Sequence, residues 1–456
     1  MDHSLEQHRE LLRAELAALP PVSPRMAACR DLFRRIRRVA IIAGASRSGS
    51  SHLFALLRRL PGVISPPGEC QPYYRLHGLP LNPGPEGDAL GPETSKLDLD
   101  AMAGEMLAML GSAATSKDRY DTPGLLEAHT ARLTRTLLLQ WPGFRGHGAE
   151  LYERISTGLH RGWDPRFGPV SGGPGWNDLT EFLHRLEPRF HPSWYDGAVR
   201  TSGEPSPGID PLGPPHDGPI LEEPPFLRLA PEGPLEPREL ETSWLLLKTT
   251  ADCHRPHLLR ALFPEAELRW LHLVRNPASS LNGLYDGWLH QGFHSWDLGN
   301  SPTLPASGLD LEPYSSRHPS GRRWWKFDLP PGWPALTALP LAEVCTAQWE
   351  SANRALSEYL SASNETCMRV RHEHLVTDAS SFRHCLAGIL SFLGLPKEAG
   401  RAFEFAAHPL VQATRAPTPY RWRERAALFE PLLETPAVVD LTATLGYDPG
   451  RREEWV

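Results

Sequence analysis

The sequence predicts an α/β fold with a parallel sheet flanked by helices and interrupted by two loop-rich inserts. Three short apolar runs, RRVAIIA (37–43), WLLLKTT (244–250) and LRWLHLV (268–274), indicate strands. Continuous apolar runs of this length are typical of parallel strands buried on both faces. Helical patterns follow the first two runs, at SHLFALLRR (51–59) and RPHLLRALF (255–263). Alternating strands and helices of this kind indicate βαβ units.

The remaining segments fit around this core. The N-terminus, MDHSLEQHRELLRAELAAL, predicts an amphipathic helix with Leu5, Leu12 and Leu16 on one face. We therefore expect an N-terminal helical segment (1–35) before one main domain (36–456). Proline and glycine are concentrated in two inserts, which divide that domain. The expected core covers 36–80, 241–290 and 341–456, and the inserts cover about 81–240 and 291–340.

Helical patterns appear both in the first insert and after the second. In the insert they are LLEAHTARLTRTLLLQW and LTEFLHRLE. The C-terminal part has three, namely LAEVCTAQWESANRALSEYL, SSFRHCLAGILSFLGL and RERAALFEPLLE. The long Pro/Gly-rich stretches of the first insert, which the first two of these patterns interrupt, predict loops, partly disordered or lid-like.

Composition excludes several classes of protein. The 456 residues carry a net charge of -7, so no global basic field attracts nucleic acid or an anionic membrane. No run approaches the roughly 20 apolar residues that cross a bilayer, and the N-terminus is too charged for a signal peptide. The cysteines have neither metal-site nor disulfide-framework spacing, so we expect reduced thiols, a cytoplasmic protein and no metal. They are Cys29, Cys70, Cys253, Cys345, Cys367 and Cys385.

A candidate phosphate-binding loop lies between the first strand and the first core helix. Its residues are Gly44, Ala45, Ser46, Arg47, Ser48, Gly49, Ser50 and Ser51. A glycine-bounded turn between strand and helix directs backbone N–H groups and a helix N-terminus at an anion. The spacing matches G-x-x-x-x-G, but Ser50 replaces the lysine of a nucleotide-triphosphate loop, and Arg47 carries the positive charge.

This octet resembles the 5′-phosphosulfate loop, G-x-P-R/K-S-G-T/S-T/S, of sulfotransferases that use 3′-phosphoadenosine 5′-phosphosulfate (PAPS). Ser46 stands where the family has proline. LRWLHLVRNPASSLNGLY resembles the family's 3′-phosphate motif, which implies that Arg275 binds that phosphate. The family's serine eight residues later is Gly283 here, so Ser279 and Asn282 are the candidates for the missing hydrogen bond.

Further segments follow the family's order of motifs. They are LLLKTTADCHRPHLLRALFPEAELRWLHLVRNP, AQWESANRAL and RHEHLVTDASSFRHCLAGILSFLGLP. The resemblance implies a core like that of the P-loop-containing nucleoside triphosphate hydrolases. It also implies PAPS as co-substrate, PAP (3′-phosphoadenosine 5′-phosphate) as product and no metal. His52 stands where some relatives place an adenine-stacking aromatic residue.

The resemblance leaves the general base to be identified. Cytosolic members use the histidine of a K-T-H motif, but Lys248 and Thr249 are followed here by Thr250, which cannot act as a base near neutral pH. LRRLPGVISPPGECQPYYR resembles the tyrosyl-protein type, which implies that Glu69 is the base. His254 is the rival base.

The same resemblance assigns the charge that neutralises the leaving group. Lys248 stands at the position of the family's catalytic lysine, in a chain with five lysines. We assign Lys248 and Arg47 to the charge that develops on the bridging oxygen.

Two other functions stay open at this point. One is a P-loop kinase acting on a small molecule, and the other is a non-catalytic PAP-binding relative. The acceptor is a small molecule or a glycan that the sequence does not identify. The aromatic residues of the inserts either line an acceptor pocket or pack the loops.

Overall fold

A central sheet of parallel strands organises the computed structural model of this chain. The structure describes residues 3–20, 22, 30–81, 83–93, 96–111, 124–164, 168–169, 181–188, 190, 221–222, 226, 235–290, 293, 296–299, 301–317, 319–405 and 411–456.

The elements of the described residues follow in chain order. The helices are α1 (His3–Ala18), α2 (Ser50–Leu57), α3 (Gln71–Leu76), α4 (Leu99–Met109), α5 (Leu125–Gln140), α6 (Gly148–Gly162), α7 (Pro237–Thr242), α8 (Pro256–Leu262), α9 (Pro277–Leu289), α10 (Tyr314–Arg317), α11 (Leu341–Ala362), α12 (Glu373–Val376), α13 (Ala379–Phe392), α14 (Ala426–Leu433) and α15 (Pro436–Thr444). The strands are β1 (Arg38–Ala43), β2 (Val63–Ile64), β3 (Trp163–Asp164), β4 (Gly168–Pro169), β5 (Trp244–Lys248), β6 (Glu267–Val274), β7 (Trp296–Asp297), β8 (Trp324–Trp325) and β9 (Thr366–Arg371).

The main sheet has the strand order β2-β5-β1-β6-β9, and all its pairings are parallel. In register, Ile42 of β1 lies opposite Lys248 of β5 and Leu271 of β6. The predicted strands and the helices that follow them are therefore confirmed. Because all five strands run the same way, the segments that follow them meet at one edge of the sheet.

Both faces of the sheet are covered by apolar side chains, as the continuous apolar strands predict. Val39 and Ile41 of β1 belong to the larger core cluster, and Ala40 and Ile42 belong to a second cluster on the other face. Successive strand residues point to opposite faces, so one strand contributes to both clusters. The α/β fold with a parallel sheet flanked by helices is confirmed.

The N-terminal helix packs into the larger cluster. Leu12 and Leu16 of α1 are buried there, and Leu5 is half-buried, so the amphipathic helix is confirmed. Arg13 fixes the helix to the domain because its Nε donates to the carbonyl of Leu76 at 2.6 Å. The domain boundary at residue 35 stays a prediction.

The first insert contains more helix than its composition suggests. Helix α5 confirms the pattern LLEAHTARLTRTLLLQW, and residues 181–186 are helical within LTEFLHRLE. Helices α4 and α6 also belong to this insert and were not predicted. The most Pro/Gly-rich stretch, 204–219, lies outside the described residues.

The second insert buries its tryptophans. Trp296, Trp324, Trp325 and Trp333 are each at most 3% exposed and belong to the larger core cluster. Of the two roles left open for the insert aromatics, these four residues have the packing role.

Candidate active site

The segments that follow β1, β2, β5 and β6 open into a single cavity of about 440 Å³ at the carboxyl edge of the sheet. The predicted site residues that line it are Ser46, Arg47, Gly49, Ser50, Ser51, Glu69, Lys248, Arg275, Ser279 and Asn282. Gly44 and Ser48 belong to the same loop but do not line the cavity. The structure thus brings together groups that lie more than 200 residues apart in the sequence.

Close packing makes both loop glycines necessary. Gly49 has φ 95°, and a side chain there would place its Cβ 2.1 Å from Cδ2 of His372. At Gly44 a Cβ would lie 2.2 Å from the carbonyl oxygen of Leu273. Since real Cβ atoms do not approach so closely, the loop can run along the sheet edge only with glycine at these positions.

The loop carries buried polar groups suited to an anion. The Oγ atoms of Ser46 and Ser48 are buried and have no hydrogen-bond partner among the residues that the structure describes. Gly49, in the left-handed conformation, leads directly into the N-terminus of α2. Buried hydroxyls normally have a partner, so this loop has the polar atoms and the helix terminus of an oxyanion site.

Contacts of Arg47 with Gln412 and Phe293 help to fix its side chain. Its Nη1 donates to the carbonyl of Gln412 at 3.0 Å, and its guanidinium lies 4.5 Å from the ring centroid of Phe293. Its backbone has φ 67°, an unfavourable region for an arginine. The surroundings therefore fix the position of this charge.

Lys248 connects the phosphate loop with Glu69. Its Nζ donates to Ser51 Oγ at 3.0 Å and forms an ion pair with Glu69 Oε1. The backbone N–H of Cys70 donates to Thr249 Oγ1 at 2.9 Å, which ties the glutamate segment to the end of β5. The lysine side chain is 3% exposed and that of Glu69 is 32% exposed, so the carboxylate is reachable from the cavity.

Arg275 lies at the end of β6, next to the loop. Its Nη1 donates to the carbonyl of Arg47 at 3.2 Å, while its Nε has no hydrogen-bond partner among the described residues. Burial lowers the pKa of Arg275; the Glu373 carboxylate opposes this effect and the nearby Arg421 adds to it. The guanidinium retains a donor for a further anion.

The two candidates for the missing hydrogen bond both reach the cavity. Ser279 Oγ donates to the carbonyl of Val456 at 3.1 Å, and Asn282 Oδ1 accepts from Arg425. At Gly283 a Cβ would lie 3.5 Å from Arg275 Nη1 and 3.3 Å from the Cβ of Arg47. The glycine lets α9 approach both arginines closely. Which residue completes the site stays a prediction.

The three histidines considered for the site differ in whether they line the cavity. His254 is buried with its Nε2 3.5 Å from Asp328 Oδ2, and it does not line the cavity. His257 packs edge-on against Tyr359, also away from it. His52 does line the cavity, with its ring centroid 6.4 Å from that of His372. The rival base therefore points elsewhere, whereas Glu69 lies in the cavity.

Two further carboxyl groups surround Glu69. Burial raises the pKa of Asp252 well above its usual range, and the Glu69 charge adds to the effect. Burial also raises the pKa of Glu222 to about 7, with Glu69 again contributing, although a hydrogen bond from Gln140 opposes the shift. Neither residue lines the 440 Å³ cavity, so Glu69 is the carboxyl group that a ligand there would meet.

Sequence reasoning missed several residues of the cavity. They are His372, Gln412, Arg415 and Arg421, whereas Phe293 and Phe327 belong to the insert aromatics whose role was left open and line the cavity. Gln412 accepts from Ser51 Oγ through its side chain, and its carbonyl accepts from Arg47. One signal was available, because four arginines fall between positions 415 and 425. Such a cluster is typical of an anion site.

Comparisons with known proteins yield structural likeness only. No family model matches the chain, and no curated protein does. A sulfotransferase domain of the curacin biosynthetic pathway is 12% identical, with a TM-score of 0.35 over 90% of this chain and 98% of that one. The sulfotransferase domain of the Synechococcus PCC 7002 olefin synthase is 15% identical, with a TM-score of 0.35 over 90% and 95%. Sulfotransferase STF9 of Mycobacterium avium is 12% identical, with a TM-score of 0.34 over 91% of this chain and 78% of that one.

Structural likeness at this sequence identity and TM-score does not assign the chain to a family. Among the described residues, no group of His, Cys, Asp and Glu side chains is arranged to hold a metal ion. No helix of that part of the chain is long and apolar enough to span a membrane.

Proposed function

We propose that this chain transfers a sulfuryl group from PAPS to the hydroxyl of an acceptor and releases PAP. The observation that carries the proposal is the contact chain Glu69–Lys248–Ser51, which connects a carboxylate, a buried ammonium and the phosphate loop inside one cavity. A proton acceptor and a leaving-group cation next to an oxyanion site are the groups that in-line sulfuryl transfer requires.

The residues present fit a donor with two anionic ends. The loop of Gly44 to Ser51 would hold the 5′-phosphosulfate through its N–H groups and the Ser46 hydroxyl. Arg275 would hold the 3′-phosphate with the donor that its Nε retains. Among the described residues, the charged side chains that line the cavity are Arg47, Lys248, Arg275, Arg415, Arg421 and Glu69, and Arg415 and Arg421 also pair with Asp286. This excess of positive charge favours a multiply charged anion.

PAPS supplies a sulfuryl group on an activated phosphate–sulfate bridge. Glu69 would accept the proton of the acceptor hydroxyl while the acceptor oxygen bonds to sulfur. Lys248 and Arg47 would stabilise the negative charge that develops on the bridging oxygen as its bond to sulfur breaks. The ion pair with Lys248 keeps the Glu69 carboxylate in place for this proton.

The loop itself argues against the kinase alternative. A kinase loop needs its own lysine on the β- and γ-phosphates, and Ser50 stands at that position. Here the ammonium comes from another strand, β5, and contacts Ser51. We also keep the expectation of a reducing, cytoplasmic environment, which rests on the scattered spacing of the cysteines in the sequence.

Nucleotide selectivity tests the proposal directly. We expect PAP to raise the melting temperature and ATP with Mg²⁺ to leave it unchanged, since the stabilisation follows binding to the native state. Turnover of labelled PAPS with an acceptor panel, read by mass spectrometry, should survive EDTA. Stabilisation by ATP instead, or activity lost on chelation and restored by Mg²⁺, would support the kinase. PAP binding without any sulfated product would support the non-catalytic relative.

A further inference from the structure

A backbone carbonyl accepts the hydrogen bonds of the turn between β6 and α9. Asn276 Nδ2 and Ser279 Oγ both donate to the carbonyl oxygen of Val456, each at 3.1 Å. The two donating side chains are buried, and Val456 lies with Ser279 and Arg275 in the lining of the cavity. Two buried donors next to Arg275 therefore converge on one oxygen atom.

The side-chain hydrogens of this turn have no spare capacity. The Asn276 amide has two, of which one goes to Val456 and the other to Glu373 Oε1, 2.8 Å from Nδ2. Ser279 has a single hydroxyl proton, and this proton goes to Val456. Because a hydroxyl can donate only once, a ligand oxygen can accept from Ser279 only if the Val456 carbonyl gives up that bond.

Val456 is held in place mainly through its neighbour. Trp455 is 3% exposed in the larger core cluster, and its carbonyl accepts from Trp422 Nε1 at 2.9 Å. Val456 itself is half-buried, and its backbone N–H donates to the carbonyl of Glu454 at 3.0 Å. The packing of Trp455 therefore decides how firmly the Val456 carbonyl is presented to the turn.

The 3′-phosphate of the proposed donor would need the same donors. Arg275 is assigned to this phosphate, and its Nε has no hydrogen-bond partner among the described residues. Phosphate oxygens and a carbonyl oxygen are all acceptors, so they compete for the hydrogens of Asn276 and Ser279. Hydrogen bonds to a charged acceptor are stronger than those between neutral groups, so a phosphate would displace the carbonyl.

We infer that the Val456 carbonyl occupies part of the subsite for the donor's 3′-phosphate, and that this phosphate displaces it and takes over the hydrogen bonds of Asn276 and Ser279. The inference rests on the proposed use of PAPS, and it adds Asn276 to the donor site. The carbonyl acts as an internal competitor that lowers the affinity for PAPS and PAP alike. Its return to the turn would assist the release of PAP, and product release limits the rate of many enzymes.

A matched pair of nucleotides tests this competition, because PAP and AMP differ only in the 3′-phosphate. Trp455→Leu keeps an apolar side chain in the core but loosens the hold on Val456. In calorimetry PAP should bind this variant roughly 3- to 10-fold more tightly than the wild type, the worth of about one hydrogen bond, while AMP affinity stays within about 2-fold.

Three outcomes of that titration would overturn the inference. Weaker PAP binding would show that Val456 supports the site, and unchanged PAP binding would show that it does not compete. Equal tightening of AMP would show that the segment only narrows the cavity. A wild-type protein that binds no PAP at all would instead refute the proposed function.

Ser279→Ala locates the competition in the turn, because it removes one of the two donors. In that background Trp455→Leu should tighten PAP binding by less than about 2-fold, since the two changes act on the same contact. An undiminished gain would show that the tightening arises elsewhere, against the inference.

Hydrogen exchange of the wild-type protein gives a measurement that does not depend on how a variant folds. Saturating PAP should speed exchange in a peptide covering residues 452–456 by at least about 2-fold, because the displaced segment opens more easily. AMP should leave that exchange unchanged. Slower exchange in the presence of PAP would refute the displacement.

Discussion

The floor and the roof of the cavity are built from different parts of the chain. The floor consists of residues at the ends of parallel strands and in the loops that follow them, such as Lys248, the last residue of β5, and Arg275, directly after β6. The roof consists of Phe293 and Phe327 of the second insert and of Gln412, none of which belongs to or directly follows a strand of the main sheet. The comparison shows that the central sheet positions Lys248 and Arg275, whereas the inserted segments shape the surface against which the rest of a ligand packs.

The two parts also differ in backbone. On the floor, Gly44 and Gly49 carry no side chain to clash, and Arg47 is the floor residue that combines positive φ with a full side chain. In the roof, Phe293, Phe327 and Gln412 adopt positive φ with full side chains, which costs free energy at each position. Natural proteins retain such strain mainly where function requires it. The floor should therefore control donor binding and chemistry, and the roof the acceptor.

The largest expected effect is at Glu69. Glu69→Gln keeps size and hydrogen bonding but cannot accept a proton, so turnover should fall by roughly 10²- to 10⁴-fold, the usual contribution of a positioned general base. PAP affinity should survive, because the carboxylate contacts Lys248 and not the residues assigned to the phosphates. Steady-state rates and PAP calorimetry measure the two effects.

Lys248→Ala is the comparison variant for that experiment. It should also lose turnover, but through the leaving-group charge. The acidic limb of the rate profile should vanish in the Glu69→Gln protein and persist in the Lys248→Ala protein. Near-normal turnover of Glu69→Gln, together with a turnover defect in His254→Ala, would identify His254 as the base. The catalytic base would then not be a residue of the floor.

Arg275 comes next. Arg275→Ala should weaken PAP binding by roughly 10- to 100-fold, since hydrogen bonds from a charged group to phosphate are among the stronger ones. Arg37→Ala is a matched control, because Arg37 forms an exposed ion pair with Glu265, 2.9 Å apart, outside the cavity. Calorimetry with PAP separates the two variants, and equal affinities would remove Arg275 from the donor site.

The sequence predicts the floor well because its signals are local. A buried strand, a glycine turn and a helix start lie within about 15 residues at the phosphate loop, and strand ends in a parallel sheet meet at one edge. Lys248 ends β5, Arg275 follows β6, and Glu69 lies in the segment after β2, so the strand order brings them to the same edge of the sheet.

The roof could not be predicted in the same way. RRWWKFDLPPGW contains several aromatic residues of similar character, and only the tertiary packing separates buried Trp324 and Trp325 from Phe327 at the cavity. Gln412 has no sequence signal, since its contacts with Ser51 and Arg47 span more than 350 positions. Positive φ at a non-glycine residue likewise leaves no mark in the residue type.

Glycine substitutions test the floor by stability. Gly49→Ala combines φ 95° with a Cβ 2.1 Å from the His372 ring, so it should destabilise the fold by about 2 kcal/mol and impair PAP binding. Gly104→Ala is the matched control, because Gly104 is exposed inside α4 and a Cβ there meets nothing within 4 Å. It should stabilise by about 0.5–1 kcal/mol, as alanine favours a helix. Urea denaturation measures both, and a neutral Gly49→Ala would show that the loop can tolerate a side chain.

The smallest expected effect on turnover is that of Glu222→Gln, which distinguishes Glu222 from the nearby Glu69. Glu222 belongs to the first insert and accepts from Gln140 Nε2 at 3.1 Å, beside Glu69 but outside the cavity lining. Glu222→Gln should therefore leave turnover within about 3-fold, in contrast to Glu69→Gln. Because burial raises the folded-state pKa of Glu222 to about 7, the folded chain holds a proton there that the unfolded chain has lost between about pH 4.5 and 7. Wild-type stability from this group falls as pH rises through that window.

The Glu222→Gln variant has no carboxyl group to titrate at this position, so it does not lose this contribution to stability as pH rises. Relative to the wild type, its melting temperature should rise by a few degrees as pH rises from 4.5 to about 7 and then stay level, which corresponds to about 3 kcal/mol of unfolding free energy. Thermal scans of both proteins across that range measure the difference. A flat difference would show that the Glu222 carboxyl is already ionised in the folded chain. A turnover defect in Glu222→Gln comparable with that of Glu69→Gln would show that a residue of the first insert takes part in catalysis. The chemistry would then not be confined to the floor.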